Sequence, residues 1–303
     1  MIIPVFDAER WVTKAVESVV HQGDLQEVLL IEDGSRDDSL SVCTELAGAN
    51  PKVTLLRHRD GANLGPGASR NLGIQKAKSE LIAFLDADDI YLPGRFQSTI
   101  RIMTGNPDIG GVYEAVGTIF EDVRARARWD SVGWGDLTTM RKVVSPDELF
   151  YFLVTWEAGH FHLDGLVVRK DLAERVGGFN PSLRLHQDTD FCIKLAAVGS
   201  LVPGRLDRPV AMRRVHSQNR SVKRRQDVLE TRFAMWNSLR NWAEDVGQSS
   251  ARKKLIDCRL SRLLVVQSKK KRSLPAFAVH FSKWYLLHSV LRVRRMLKGR
   301  RSF

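Results

Sequence analysis

Short apolar runs alternate with helical periods over the N-terminal third of the chain. Positions 2–6, IIPVF, make an uninterrupted apolar run of strand length. Trp11, Val12, Ala15, Val16, Val19 and Val20 then recur at the three-and-four spacing of an amphipathic helix. A second strand is predicted at 28–31, running out onto Glu32-Asp33-Gly34-Ser35, and Ser35 with Asp38 is placed to cap a helix reaching Ala49. Further strands are predicted at 53–56 and 81–85. Between them NLGPGASRNLG, 63–73, reads as a glycine-rich loop entering a helix. Strands alternating with helices predict an α/β domain with a mostly parallel central sheet flanked by helices. In such sheets ligands bind in the crevice beyond the carboxyl ends of the strands. Phe6-Asp7, Asp33-Gly34 and Asp86-Ala87-Asp88 all fall at such ends.

From 111 to 215 the pattern is more mixed. Ser145-Pro146-Asp147-Glu148 is a helix start, with Ser as cap and Pro at the first helical position. A strand is predicted at 164–169, a short helix at 170–176 stopped by Gly177-Gly178, and a helix at 187–198 with Asp188 and Asp190 in its first turn. The stretch 121–144 shows no period and reads as a long excursion near the crevice. Beyond 221, Leu229, Phe233, Trp236, Leu239, Trp242 and Val246 form an apolar helical stripe. The expected organisation is therefore a domain at 1–221 with a helical extension at 222–303.

Charge sharpens that division. The 303 residues carry a net charge of +12, yet 222–303 hold 21 Lys and Arg against 5 Asp and Glu. The first 221 residues are mildly acidic, so the basic character belongs to the extension. KKKR at 269–272 and RVRRMLKGRR at 292–301 flank a segment containing Phe277, Phe281, Trp284, Tyr285, Leu287 and Leu291. That combination fits an interfacial amphipathic helix on an anionic membrane surface, or equally a solvated helix packed on the body. Nucleic acid is not expected as a partner, since no aromatic-plus-basic reading motif is present. Three cysteines, Cys43, Cys192 and Cys258, lack metal-ligand spacing and read as free thiols. No signal peptide or run of about 18 apolar residues is evident, so a cytoplasmic protein is expected, with peripheral contact to the membrane left open.

The candidate chemistry centres on FLDADD, 84–89. Carboxylates this close repel one another unless a cation sits among them, and hard oxygen ligands suit Mg²⁺ or Mn²⁺. An Asp-rich turn capping a helix is the alternative. His160, His162 and Asp164 alternate along GHFHLDG, which places them on one face of a strand. A zinc site is conceivable there, but contacts to a substrate or half-buried polar packing fit better. Trp129, Trp134 and Trp156 are candidates for stacking on sugar rings or for the core.

The blocks IIPVFDAERW, LIEDGSRDDS and NLGPGASRNLGIQKAKSELIAFLDADD, in that order, closely resemble family-2 glycosyltransferases of the nucleotide-diphospho-sugar transferase (GT-A) fold. VGGFNPSLRLHQDTDFCIKLA and RRVHSQNRS resemble later blocks of the same family, so the resemblance runs from 1 to 221. It implies inverting transfer of a sugar from a nucleotide-diphospho-sugar to an acceptor hydroxyl of a saccharide or lipid-linked molecule. The resemblance assigns Pro4, Phe6 and Glu9 to the nucleoside pocket and Asp33 to a hydrogen bond with the base. It places Arg70 near the nucleotide. Asp86, Ala87 and Asp88 are assigned to the donor and, through Asp86 and Asp88, to a Mn²⁺ or Mg²⁺ cofactor. It makes Asp188 the catalytic base and puts His216 at the diphosphate or metal. A carboxylate at 33 suits the imide N–H of uracil or thymine, which favours UDP- or dTDP-sugars. Phe6 could serve the core as well, Glu9 a helix dipole, and Arg70 a surface pair. The chain departs from the family at Gln187, where Glu is usual before the base, and at Asp7, where Asn is usual. A sugar nucleotidyltransferase, or an inactive member of the fold acting as a partner module, are the rival readings.

Overall fold

A computed structural model describes residues 1–270, apart from 132, 134, 217, 218 and 220–227 and the side chains of 228 and 267–270. The tail beyond 270, Trp134 and Ser221 lie outside the described residues. The chain divides into two units, Met1–Lys223 and Arg224–Phe303.

In the first unit, β1 (Ile2–Val5), β2 (Val28–Glu32) and β3 (Val53–Arg57) pair in parallel with β2 in the middle. Every residue of β2 is buried, as expected for a strand covered on both faces. A second sheet runs β10 (Ser200–Pro203), β6 (Ile109–Tyr113), β9 (Leu166–Arg169), β4 (Leu81–Ala83). There β9 is antiparallel to both neighbours. A parallel bridge between Ile2 and Phe84 joins the two sheets. A third, small sheet has the order β5 (Ile90–Tyr91), β11 (Ala211–Val215), β7 (Val116–Phe120), β8 (Leu137–Thr138).

Two apolar layers sandwich the main sheet. Ile3, Val5, Val28 and Leu30 join Val12, Val16 and Val19 of α1 (Val12–Val20) and Cys43 of α2 (Ser39–Ala49) in one core. On the opposite side α3 (Pro66–Lys76) lies so close to β1 that a Cβ on Gly73 would meet Ile2 Cγ2 at 2.5 Å. Phe84, Phe179 and Phe191 meet there, the last two stacked at 4.1 Å. The remaining helices are α4 (Gln97–Gly105), α5 (Val123–Ser131), α6 (Pro146–Thr155), α7 (Lys170–Arg175) and α8 (Gln187–Val198).

Pro4 explains why the sheet opens where it does. The carbonyls of Met1 and Val5 bond β2 and that of Ile2 bonds Leu85, so alternate residues of β1 serve alternate neighbours. Position 4 therefore faces β4, and proline has no N–H to continue that ladder. β1 and β4 part beyond this point, and the acidic cluster lies just past the split.

Several elements differ from expectation. β4 ends at Ala83, and Asp164 lies in a short 3₁₀ turn, Leu163–Gly165, before β9 rather than in the strand. The helix after β2 is not capped by Ser35 or Asp38: Asp37 Oδ1 accepts from the Ser39 amide and hydroxyl instead. The stretch 121–144 is not a bare excursion, since α5 and β8 form within it. Asp122 caps α5 through the Ala125 amide at 2.7 Å, and Ala125 and Trp129 are buried beside Phe120 and Val215. Alternating Arg and Ala gave no apolar period to read.

The second unit pairs α9 (Val228–Asp245) with α10 (Ser250–Lys270). Trp236, Leu239 and Ala243 are buried on one helix, Ile256, Cys258 and Leu260 on the other. Arg240–Asp257 at 2.9 Å and Lys253–Glu244 at 2.8 Å tie them together. Among the described residues no helix is long and apolar enough to cross a membrane.

Candidate active site

The carboxyl ends of β1, β2 and β4 converge on one crevice. Asp33, following β2, is 1% exposed and accepts from the amides of Leu64 and Gly65, each at 2.9 Å. Asn63 donates to its backbone carbonyl at 2.8 Å. Asp33 thus clamps the mouth of the glycine-rich loop, and one lone pair on each oxygen remains for a further donor. His58 stands against the same loop, 3.0 Å from Ser69 Oγ and 3.5 Å from Asp33 Oδ1.

Arg70, carried on α3 and buried, donates to Asp86 Oδ1 at 2.5 Å and lies 5.3 Å over the Phe179 ring. It is thus no surface pair. Burial pushes the Asp86 carboxyl up, but Arg70, through its charge and its hydrogen bond, outweighs this and holds it below the usual carboxylate range.

Asp88 is fixed from behind. Its Oδ2 faces His216 Nε2 at 2.9 Å and accepts from Asn219 Nδ2 at 3.2 Å, while Oδ1 has no hydrogen-bond partner among the described residues. His216 is buried against the Trp11 ring at 4.4 Å. In this geometry the His216 ring nitrogen faces a carboxylate oxygen and can orient it.

A second acidic layer lies beneath, in which Asp89 of FLDADD meets Asp164 of GHFHLDG. Asp89 and Asp164 are both buried. Burial and mutual repulsion raise Asp89 well above its ordinary range, and burial with the Asp86 charge raises Asp164 to about 7. His162, kept neutral chiefly by burial and Arg213, sits 3.2 Å from Asp164 Oδ2. The three GHFHLDG side chains do not gather on one face: His160 is exposed, while His162 and Asp164 lie together inside. Asp86, Asp89 and His162 bring one ligand atom each within 4.8 Å of one another. This carboxylate-rich donor set, with one imidazole, fits a Mg²⁺ or Mn²⁺ ion.

Two raised carboxyls make stability depend on pH. An acid whose folded pKa exceeds its unfolded one binds an extra proton on folding. Its contribution is complete below the unfolded value near 3.8 and is lost as pH rises through the folded value of about 7 for Asp164. Asp86, held low, acts only below that window. The lowered Met1 amine, His160 and His162 act in the opposite sense over the same range, so the carboxyl contribution is read as a difference between variants. By urea denaturation in EDTA, the stability of wild type relative to Asp164→Asn should fall by about 2 kcal/mol from pH 5 to pH 8; a pH-independent difference would mean that Asp164 binds no extra proton on folding.

Asp188 occupies the first turn of α8. Its Oδ1 accepts from the Thr189 amide at 2.8 Å, and Oδ2 has no hydrogen-bond partner among the described residues. Asp190, two residues on, is buried in a pair with Lys194 at 2.5 Å and is structural. Gln187 packs its amide against Gly67 of the glycine-rich loop, so the loop and the start of α8 touch. A glutamate here would bury a charge in that contact.

The nucleoside side is more open. A cleft of about 520 Å³ is lined by Asp7, Glu9, Arg10, Trp11, Arg36 and Asp37. Phe6 is half-buried beneath the Arg36 guanidinium at 5.4 Å, and Arg36 pairs with Asp7 at 2.5 Å. Glu9 accepts from the Asp38 amide at 2.7 Å, which ties it to the start of α2. Pro4 and Ala87 flank the crevice as backbone.

Residues 1–177 match the family model for glycosyl transferase family 2. An uncharacterized glycosyltransferase of Haemophilus influenzae is 25% identical over 223 residues, covering 73% of this chain and 70% of that protein. Chondroitin synthase of Pasteurella multocida is 23% identical over 240 residues, which cover 79% of this chain but 23% of the synthase. Among solved structures, S. aureus TarS 1-349 in complex with UDP-GlcNAc superposes with a TM-score of 0.63 at 16% identity, covering 94% of this chain and 78% of that one. That likeness is one of fold.

Proposed function

This chain belongs to glycosyl transferase family 2, and from that premise we propose that it is an inverting enzyme. It moves a sugar from a UDP- or dTDP-sugar to an acceptor hydroxyl in the assembly of a polysaccharide, glycolipid or other glycoconjugate. The observation that carries the reading is the pairing, in one unit, of Asp188, whose Oδ2 has no hydrogen-bond partner among the described residues, with a carboxylate pair, Asp86 and Asp88, held by Arg70 and His216.

In the proposed reaction Asp188 Oδ2 takes the acceptor hydroxyl proton as that oxygen attacks the anomeric carbon from the face opposite the nucleotide. The bond to the diphosphate breaks, and its electron pair leaves with the nucleoside diphosphate. Asp86 and Asp88, with Asp89 and His162 close by, would hold a Mn²⁺ or Mg²⁺ ion, and His216 would keep Asp88 in register. When bound, such an ion neutralises charge developing on the leaving diphosphate. Arg70 supplies a fixed positive charge at the same carboxylates. Pro4, Phe6 and Glu9 shape the nucleoside side, and Asp33 offers its remaining lone pairs to a pyrimidine imide. TarS, whose structure holds UDP-GlcNAc, is consistent with that choice. A cytoplasmic enzyme whose basic extension, 269–303, meets an anionic membrane surface would suit a lipid-linked acceptor.

Calorimetric titration with Mn²⁺ present tests the donor class. UDP or dTDP should bind at least about 10-fold more tightly than CDP, because cytosine N3 carries no proton to donate to Asp33. Equal affinities would reduce Asp33 to a loop clamp.

A further inference from the structure

Trp156 is, among the described residues, the one Phe, Tyr or Trp side chain left exposed, at 38%. It is also held in place. Trp156 ends α6 in the left-handed backbone region, φ 63°, which costs a bulky residue about 1–2 kcal/mol. Its amide bonds Phe152 and its carbonyl accepts from Arg141. Two residues on, the Arg141 amide bonds the Ala158 carbonyl at 2.7 Å, and Gly159 pairs with Met140. Gly159 is at φ 86°, and a Cβ there would strike Thr139 O at 2.7 Å. Tyr151 donates to Glu157 at 2.9 Å. A strained backbone secured on both sides, with an exposed indole at its apex, is an arrangement that packing alone does not require.

One polar ring stands beside the indole. His160, itself exposed, lies 5.1 Å from Trp156 in a tilted contact. The charges of Asp188, Arg141 and Arg213 act on His160, and α6, which carries Trp156, packs against α8, which carries Asp188. The other described tryptophan weighed for sugar contact, Trp129, is buried against Phe120 and Val215 and is core.

We propose that Trp156 and His160 form the acceptor subsite: the apolar C–H face of an acceptor sugar stacks on the Trp156 indole, and His160 hydrogen-bonds one of its hydroxyls while another is presented to Asp188. A saccharide is the ligand that needs an exposed aromatic face and polar groups at its edge together. The inference rests on the proposed transfer reaction and names the acceptor's class.

The test is saturation-transfer NMR with a panel of methyl glycosides, in the presence of UDP and Mn²⁺, on wild type, Trp156→Asn and Trp156→Phe. Asparagine tolerates the left-handed backbone, so Trp156→Asn removes the ring without forcing a refold. At least one glycoside should bind wild type and Trp156→Phe, and bind Trp156→Asn about 10-fold more weakly or worse, with UDP affinity unchanged. Glycoside binding unaffected in Trp156→Asn, or no glycoside bound by wild type that still binds UDP, overturns the subsite. Failure of wild type to bind UDP would instead strike the transferase reading, so the two failures are told apart.

Discussion

Asp188→Asn is expected to lower transfer to the acceptor by about 10³-fold, within the range a positioned general base supplies, with donor affinity unchanged. Three features set this expectation. Asp188 lies in the first turn of α8; its Oδ1 is oriented by the Thr189 amide; and its Oδ2 is left to accept a proton. Asparagine keeps the shape and the Oδ1 bond but cannot accept the proton. The signature is therefore a fall in kcat with little change in donor KM. Neighbouring Asp190 offers no substitute, because it is buried in its pair with Lys194. Should Asp188→Asn turn over at the wild-type rate, the base lies elsewhere.

The second large effect belongs to Asp88. Its Oδ1, without a hydrogen-bond partner among the described residues, is the oxygen that the proposed reaction offers to an ion, while Oδ2 is held by His216 and Asn219. Asp88→Asn removes the charge and should reduce turnover at fixed Mn²⁺ by about 10²-fold or more, with the Mn²⁺ concentration for half-activation rising in step. His216→Gln keeps a side-chain donor in reach of Oδ2, so its loss should be nearer 10-fold. The order of the two variants separates a ligand from the residue that orients it. If His216→Gln proves the more damaging, His216 itself is the ligand.

The N-terminal half was legible because its strands are covered on both faces and read as unbroken apolar runs, with polar residues only at their ends. Asp33, Asp86 and Asp88 stand out there because nothing else in the runs is charged. What Asp33 does in the unliganded fold was not legible: its clamp on the Leu64 and Gly65 amides spans 31 and 32 positions and leaves no local pattern. The acidic layer was half legible: FLDADD marks Asp89 and GHFHLDG marks Asp164, but no local pattern joins them. Asp89 and Asp164 are far apart in sequence, and Asp164 reads as a strand residue by alternation although a 3₁₀ turn carries it inward. His162 and His160 look equivalent in GHFHLDG, yet one faces the carboxylates and the other Trp156. Helix α5 was invisible because Arg and Ala alternate without an apolar stripe; its burial comes from one Trp and one Ala meeting β7 and β11. The buried Arg95–Glu114 pair, which also bonds the Asp164 carbonyl and Thr99, likewise joins three separate segments.

The most direct measurement is release of nucleoside diphosphate from a panel of nucleotide-sugars by the full chain, with Mn²⁺ or Mg²⁺ and with EDTA, for wild type beside Asp188→Asn. The account predicts release from a UDP- or dTDP-sugar that requires the divalent ion and collapses in the variant. Release that persists in EDTA, or that Asp188→Asn carries out at the wild-type rate, would contradict it.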